Sequence, residues 1–351
     1  MSLAALTVRN VRRLAQCDVE LHPRCNLAWG PNGSGKTSFL ESIYLLGRGR
    51  SFRTRNTERL IRHGEPELMV LGRTASVPSR LLGVQAARGT PTVAKIAGEF
   101  VGSLAELSQV LPVQVIEPGV HKLVEESAQR RRRWLDWGVF HVEPLFVQTW
   151  ARYARALKQR NAALRSQGTA AVWDAQILEY GVELSASRER FIEALQPHWK
   201  EVVEVLMGEE VLLDYTRGWG RHETFADALA RSAERDRTRG VTHAGPHRAD
   251  VVLRVGGRVA REVLSRGQQK LVAAAMILAQ LKLLRARLEE PAILLLDDPA
   301  AELDATRLEA FVSQVATLQC QLVLTSLTPE QAAFGRPDQV FHVEQGRVGS
   351  V

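Results

Sequence analysis

Eight consecutive residues, Gly30-Pro31-Asn32-Gly33-Ser34-Gly35-Lys36-Thr37, combine glycines, a cation and a hydroxyl at the spacing that suits a polyphosphate. Gly33 and Gly35 permit backbone angles and close approach that a Cβ forbids. Successive N–H groups can then converge on an anion at the positive end of the helix that follows. Lys36 would reach the outer phosphate oxygens as a mobile point charge, and the Thr37 hydroxyl would ligate Mg²⁺. Residues Gly30 to Thr37, with Ser38 after them, are therefore the candidate nucleotide contacts.

A second acidic feature lies far downstream. Ile293-Leu294-Leu295-Leu296-Asp297-Asp298 is an apolar run ending in two carboxylates. A buried strand presents its C-terminal end at the ligand crevice of an open α/β sheet. Asp297 is placed to hold Mg²⁺ through water, and Asp298 to orient or deprotonate an attacking water. Just before this strand, Leu264-Ser265-Arg266-Gly267-Gln268-Gln269-Lys270 opens a helix. Ser265 and the first N–H groups of that helix form another anion site.

These residues need elements to position them. Leu3–Val8 and Asn26–Trp29 read as strands leading into the glycine loop, and Thr37–Leu46 as a helix with Phe39, Ile43 and Leu46 on one face. Short alternating runs between Leu68 and Val101 predict an antiparallel sheet beside the first lobe. From Ser127 to Arg239 the pattern is helical and highly charged. Phe146, Trp150, Tyr153, Leu157 and Leu164 keep helical spacing, with Arg152, Arg155, Lys158 and Arg165 on the opposite face. A second helix carries Ile177, Tyr180, Leu184, Phe191 and Leu195 in phase, and Pro197 is expected to stop it. Val251–Val255 reads as a strand, Arg266–Glu290 as a long helix, and Ala292–Asp297 as a buried parallel strand. The helix Thr306–Leu318 and the strand Gln321–Thr325 complete a further unit.

The expected fold class is α/β: a P-loop ATPase head with a flanking antiparallel sheet and a helical insertion as a second lobe. The expected boundaries are 1–126 and 241–351 for the two parts of the ATPase lobe, and 127–240 for the helical lobe.

The 351 residues carry 46 Lys+Arg against 39 Asp+Glu, a net charge of +7. That excess favours a polyanionic partner, nucleic acid or an anionic surface. The apolar fraction of 45% and charged fraction of 24% exclude a disordered or collagen-like chain. Cys17, Cys25 and Cys320 show no metal-ligand spacing and fit a reducing compartment. No signal-peptide core is present near Met1, and the apolar stretches Leu271–Ala279 and Ala292–Leu296 are too short for a bilayer. The expectation is a cytoplasmic protein without a membrane domain.

The segment at Ser265 resembles the Leu-Ser-Gly-Gly-Gln signature of the ATP-binding-cassette superfamily, with Arg266 at the first glycine position. Ala301-Glu302-Leu303-Asp304 looks like that superfamily's D-loop. Within it, the chain resembles the RecF family through Gly47-Arg48-Gly49-Arg50-Ser51-Phe52-Arg53, Arg131-Arg132-Arg133-Trp134-Leu135-Asp136-Trp137-Gly138, Lys158-Gln159-Arg160-Asn161 and His243-Ala244-Gly245-Pro246-His247-Arg248-Ala249-Asp250. The motifs of the resemblance span the chain in family order.

The resemblance implies ATP and Mg²⁺ as cofactors and a site split between two chains. Ser265, Arg266, Gly267, Gln268 and Asp304 would meet the nucleotide held by a second copy, and an ATP-bound homodimer would result. Lys36, Ser265 and Asp298 would carry the catalysis. Arg12 sits where relatives carry an Asn-Phe-Arg motif that approaches the nucleotide, with Val11 here in place of the Phe. Gln114 corresponds to a Mg²⁺-sensing glutamine. The superfamily's γ-phosphate-sensing histidine has no counterpart in Gln321–Leu327, which offers only hydroxyls there and implies slow hydrolysis.

The resemblance also implies a DNA-dependent ATPase of recombinational repair, replication and the SOS response to DNA damage. Such a protein clamps double-stranded DNA near gaps or junctions with single-stranded DNA, and loads recombinase with RecO and RecR. The alternatives are a non-catalytic, ATP-gated scaffold on DNA and a transporter cassette. The charge and the lack of a membrane segment disfavour the cassette. Arg48, Arg50, Arg53 and Arg55 could contact DNA phosphates or ATP, or form a solvated turn. Part of Arg130–Arg133 is expected to be structural, and His247 to lie in a turn near the site, with a catalytic role left open.

Overall fold

A computed structural model describes residues 2–288, 292–301, 303–329 and 332–351. In chain order, β1 (Leu3–Val11), β2 (Leu14–Glu20) and β3 (Cys25–Trp29) precede α1 (Lys36–Arg48). Strands β4 (Glu67–Thr74), β5 (Leu81–Ala87), β6 (Val93–Ile96) and β7 (Glu99–Phe100) follow, then α2 (Ala105–Val110) and β8 (Val113–Ile116). Helices α3 (Lys122–Glu125), α4 (Ala128–Val142), α5 (Phe146–Arg165) and α6 (Asp174–Met207) come next. They lead to β9 (Leu212–Thr216), α7 (Phe225–Arg239), β10 (Asp250–Val255), β11 (Arg258–Val259), α8 (Ala260–Val263) and α9 (Arg266–Arg287). The last elements are β12 (Ile293–Leu296), α10 (Ala305–Thr317), β13 (Gln321–Ser326), β14 (Gln339–Glu344) and β15 (Arg347–Ser350).

The chain divides into two compact units, Met1–Val120 with Leu288–Val351, and His121–Arg287. The first is built on a sheet of twelve strands in the order β7-β6-β5-β4-β1-β2-β15-β14-β3-β13-β12-β8. Its β14-β3-β13-β12-β8 block is parallel. Every residue of β12 and β13 is buried, which is why neither alternates: β12 is apolar throughout, and β13 carries Leu322–Leu324 between the buried polar Gln321 and Thr325. The β7-β6-β5-β4-β1-β2 wing is antiparallel and keeps the alternation expected of a sheet with one wet face. Helix α1 buries Phe39, Leu40 and Ile43 in the core with Leu6, Val70 and Leu295. At roughly 1.5–3 kcal/mol per large apolar side chain, that stripe anchors the loop preceding it.

The second unit is mainly helical, with α6 packed against α5, α4 and α9. It also holds a three-stranded antiparallel sheet, β11-β10-β9. Pro197 does not stop α6, which runs 34 residues to Met207 and ends on Gly208 in the left-handed region. The apolar stripe explains this: Phe191, Leu195, Trp199, Val202 and Leu206 stay in phase and buried on both sides of the proline. Trp199 Nε1 also donates to Val211 O at 2.7 Å. Burial of that stripe exceeds the ~3 kcal/mol that an interior proline costs.

The unit boundaries differ from those drawn on the sequence. Residues 241–287 pack with the helices rather than with the glycine-loop unit, because β10 pairs with β9 and α9 lies along α6. The strand Val251–Val255 accordingly belongs to the small sheet. The end of the long helix expected at Glu289–Glu290, and Glu302 of the D-loop segment, lie outside the described residues.

Buried ion pairs hold this second unit. Arg188, 2% exposed, makes a two-pronged bond to Asp136 at 2.8 and 3.0 Å and donates to Pro246 O at 2.7 Å. Arg131 does the same to Asp250, at 2.8 and 2.9 Å, and Arg132 donates to Ala249 O. Arg160 bridges Asp174 and the fully buried Asp236. Among the described residues no helix is long and apolar enough to cross a membrane.

Candidate nucleotide site

The glycine loop begins where β3 ends. At Gly30 the backbone takes φ 156°, and a Cβ there would lie 2.1 Å from Val343 O of β14, so no other residue fits. Gly35 caps α1 with φ 121°, no side chain caps the helix, and no acid occupies its first turn. The positive end of α1 is thus left for an external anion. Ser34 Oγ is buried without a hydrogen-bond partner among the described residues, an orphaned polar atom in a cradle shaped for phosphate.

Lys36 is folded onto the loop, donating to Gly30 O at 2.7 Å and Pro31 O at 3.0 Å. Partial burial lowers its pKa, while Asp298 and Asp297 pull it upward. Thr37 Oγ1 donates to the Asp297 carboxylate, with its oxygens at 3.0 and 3.2 Å. Thr325 Oγ1 of β13 also donates to Asp297, at 2.9 Å, and accepts the Asp298 N–H at 3.0 Å. Asp298 sits at φ 50°, a left-handed conformation costly for a non-glycine residue. Burial raises the pKa of its carboxyl, with Lys36 opposing and Asp297 adding to the rise.

Lys36, Thr37, Asp297 and Asp298 line one cleft of about 450 Å³, together with Arg12, Arg53 and Pro118. That is within the range of small-molecule sites. The arginines are held from behind. Glu41 of α1, fully buried, receives Arg12 through Nε and Nη2 and also the Ser51 hydroxyl. Ser51 Oγ in turn accepts the N–H groups of Arg53 and Thr54 at 2.9 and 3.0 Å. Arg13, beside Arg12 in the β1–β2 turn, donates to Gly33 O of the loop.

Other expected residues fall elsewhere. Gln114 is a buried residue of β8 opposite Leu294 and does not line the cleft; Pro118, in the loop beyond that strand, does. Arg48 turns inward over the Tyr44 ring at 5.5 Å, and burial lowers its pKa to about 10, whereas Arg50 and Arg55 are exposed. Asp304 caps α10 through the Arg307 N–H at 3.0 Å. His247 accepts from Tyr153 Oη at Nδ1 (2.7 Å) and donates from Nε2 to Thr242 O (2.9 Å), and burial lowers its pKa to about 4. Both ring nitrogens are engaged in structure.

In the second unit, Ser265 opens α9 with reciprocal bonds. Its Oγ accepts the Gln268 N–H at 3.3 Å, and its N–H donates to the Gln268 side chain at 3.0 Å. Ser265, Arg266 and Gly267 are exposed, and among the described residues nothing lies within 4 Å of the place a Gly267 Cβ would take.

The residues that sequence reasoning missed are Glu41, Ser51, Arg13, Pro118 and Thr325 as a brace for Asp297. Glu41 did leave a signal: it interrupts the apolar face of α1, and a carboxylate in such a stripe needs a buried partner.

The family model "RecF/RecN/SMC N terminal domain" matches residues 2–349. The DNA replication and repair protein RecF of Aliivibrio fischeri (strain MJ11) is 37% identical over 356 residues, covering 99% of each chain. That of Stutzerimonas stutzeri (strain A1501) is 41% identical over 360 residues, covering 99% of this chain and 97% of its own. A solved structure of the recombination mediator protein RecF with ATPrS superposes with a TM-score of 0.87 at 25% identity, covering 99% of this chain and 98% of that one. An Smc head domain derived from Pyrococcus furiosus shares the fold alone, with a TM-score of 0.63 at 14% identity over 100% and 96% of the chains. A family model matching residues 2–349, and relatives 37% and 41% identical over 99% of the chain, show that this protein belongs to the RecF family.

Proposed function

We propose that this chain binds and slowly hydrolyses ATP, and that ATP closes a homodimer on double-stranded DNA during replication and recombinational repair. The observation that carries the reading is the convergence of Lys36, Thr37, Asp297 and Asp298 on one cleft, below an uncapped helix end. In this reading the loop N–H groups hold the β-phosphate, and Ser34 Oγ gains the partner it lacks. Lys36 exchanges two carbonyls for the outer phosphate oxygens. Thr37 and Asp297 are the residues that would hold Mg²⁺, which when bound would neutralise negative charge on the phosphates.

Asp298 takes the proton of the attacking water. Its raised pKa suits a base, and its backbone N–H is pinned by Thr325 so that the carboxylate stays in the cleft. Thr325 stands near the place of the superfamily's sensing histidine, but its hydroxyl is engaged with Asp297 and cannot carry charge. Turnover well under the enzyme median of ~10 s⁻¹ follows. Ser265, Arg266 and Gly267, exposed at the start of α9, are the half-site offered to a second copy. By family resemblance RecO and RecR are the assembly partners, and gapped or junction DNA is the substrate.

Phosphate release with and without duplex DNA, alongside sedimentation with and without ATP, tests this reading. Expected are DNA-stimulated release and ATP-dependent dimers for the wild type, and neither for Lys36→Met. ATP-dependent dimers with no DNA stimulation would favour the scaffold reading instead. A monomer at saturating ATP, for an Asp298→Asn variant that cannot hydrolyse it, would remove the clamp.

A further inference from the structure

Helix α5 has two unlike faces. Phe146, Tyr153, Ala156, Arg160 and Leu164 are buried, and Arg160 is consumed by its ion pairs. The opposite face exposes Arg152, Arg155, Lys158 and Arg165, with Gln148, Gln159 and alanine between them. At 100° per residue the four cations fall within an arc of about 140°, and their rise covers about 20 Å. No Asp or Glu occurs in α5.

Among the described residues, some exposed arginines elsewhere are neutralised, whereas others, such as Arg80, Arg221 and Arg258, have no carboxylate within ion-pairing distance. Arg73, Arg130, Arg190, Arg217, Arg231 and Arg237 each lie against a carboxylate, although all are at least 42% exposed. The four cations of α5 have no carboxylate within ion-pairing distance among the described residues; Arg152 rests against the Tyr180 ring at 5.8 Å. Four like charges kept together and unpaired repel one another, a cost that an external polyanion would reverse.

The chemistry of the face selects the polyanion. Protein partners are anchored by aromatic and aliphatic side chains seated in pockets, whereas the exposed residues of this arc are cations, amides and alanines, with Trp150 outside its edge. Long cations and amides, with alanines that permit close approach, suit the phosphates of a nucleic-acid backbone. We propose that the exposed face of α5 is a phosphate-tracking surface for duplex DNA, with Arg152, Arg155, Lys158 and Arg165 as its contacts. The assignment rests on the DNA reading above and adds the place where the backbone lies. Contacts of this kind carry affinity but no base sequence.

The test is the salt dependence of binding to a fluorescein-labelled duplex oligonucleotide, measured with ATP present. Each neutralised phosphate contributes about 0.9 to the slope of log affinity against log salt. Replacing the four cations by Gln should make the slope shallower by about 3 to 4. A second variant, with Lys at the three arginines, should keep the wild-type slope, because phosphate contact asks for charge rather than for guanidinium. Matching urea midpoints show that the fold survives the changes. If the four-Gln variant keeps a steep wild-type slope, the α5 assignment is overturned while DNA binding stands, and an acidic protein surface becomes the partner of this face. If the wild type itself does not bind duplex, the DNA reading falls and takes the assignment with it.

Discussion

Asp298 is held in the left-handed region by its neighbours, with its carboxyl partly desolvated and its N–H fixed on Thr325. A base with a raised pKa loses its unprotonated form as pH falls through that pKa. The rate of phosphate release should therefore decline on the acid side at a pH above the ordinary Asp value of about 3.9. Asp298→Asn should lower the rate by at least about 100-fold, abolish this acid limb and leave ATP binding intact. A variant that retained the limb would place the base elsewhere. Glu41 makes a different prediction. Its removal in Glu41→Ala strands the Arg12 cation and the Ser51 hydroxyl, and should cost about 2–3 kcal/mol in urea unfolding. That is less than for a fully buried pair, because Arg12 keeps a quarter of its side-chain surface in water. ATP affinity should fall as well, since Arg12 and Arg53 line the same cleft. Unchanged affinity would show that the two arginines do not meet the nucleotide.

At the scale of elements, much could be read in the sequence. The strand, glycine loop and helix are contiguous, and their periodicities belong to the local chain. The flanking antiparallel strands showed in their alternation. The long helix α6 did not, because its continuation past Pro197 depends on burial against α9 and β9 that no local pattern reports. The turn at His247 is similar. Its ring lies between Tyr153 of α5 and Thr242, and stays neutral to about pH 4. The folded pKa lies below the unfolded value of 6.5, so the unfolded chain takes up the proton first as pH falls. Stability from this group is complete above pH 6.5 and is lost between about 6.5 and about 4, by up to about 3 kcal/mol. Urea midpoints at pH 7 and pH 5 should differ by more in the wild type than in His247→Gln. Equal differences would show that another group titrates.

At the scale of the molecule, the half-sites make a prediction that neither could make alone. If each nucleotide is held by Lys36 of one copy and Ser265 of another, two different defects should complement. Lys36→Met and Ser265→Arg are each expected to be inactive alone. Mixed, they form heterodimers in which one of the two sites has both intact residues. Phosphate release should reappear on mixing and saturate near half the wild-type rate per heterodimer. Failure to recover activity, with heterodimers shown by sedimentation, would exclude a split site.

By itself the sequence determined the chemistry that neighbouring residues can perform. The nest at Gly30–Thr37 is built from contiguous backbone, the carboxylates follow directly on their apolar strand, and the signature serine opens its own helix. Only the tertiary structure decided which charges are spent and which are offered. Thr37 meets Asp297 across 260 positions, and Arg131 meets Asp250 across 119. One basic run is drawn into ion pairs at Arg130 and Arg131 and a backbone bond at Arg132, while the cations of α5 are left to solvent. An ion pair forms wherever folding brings opposite charges within reach, and at such separations in the chain no local pattern records it.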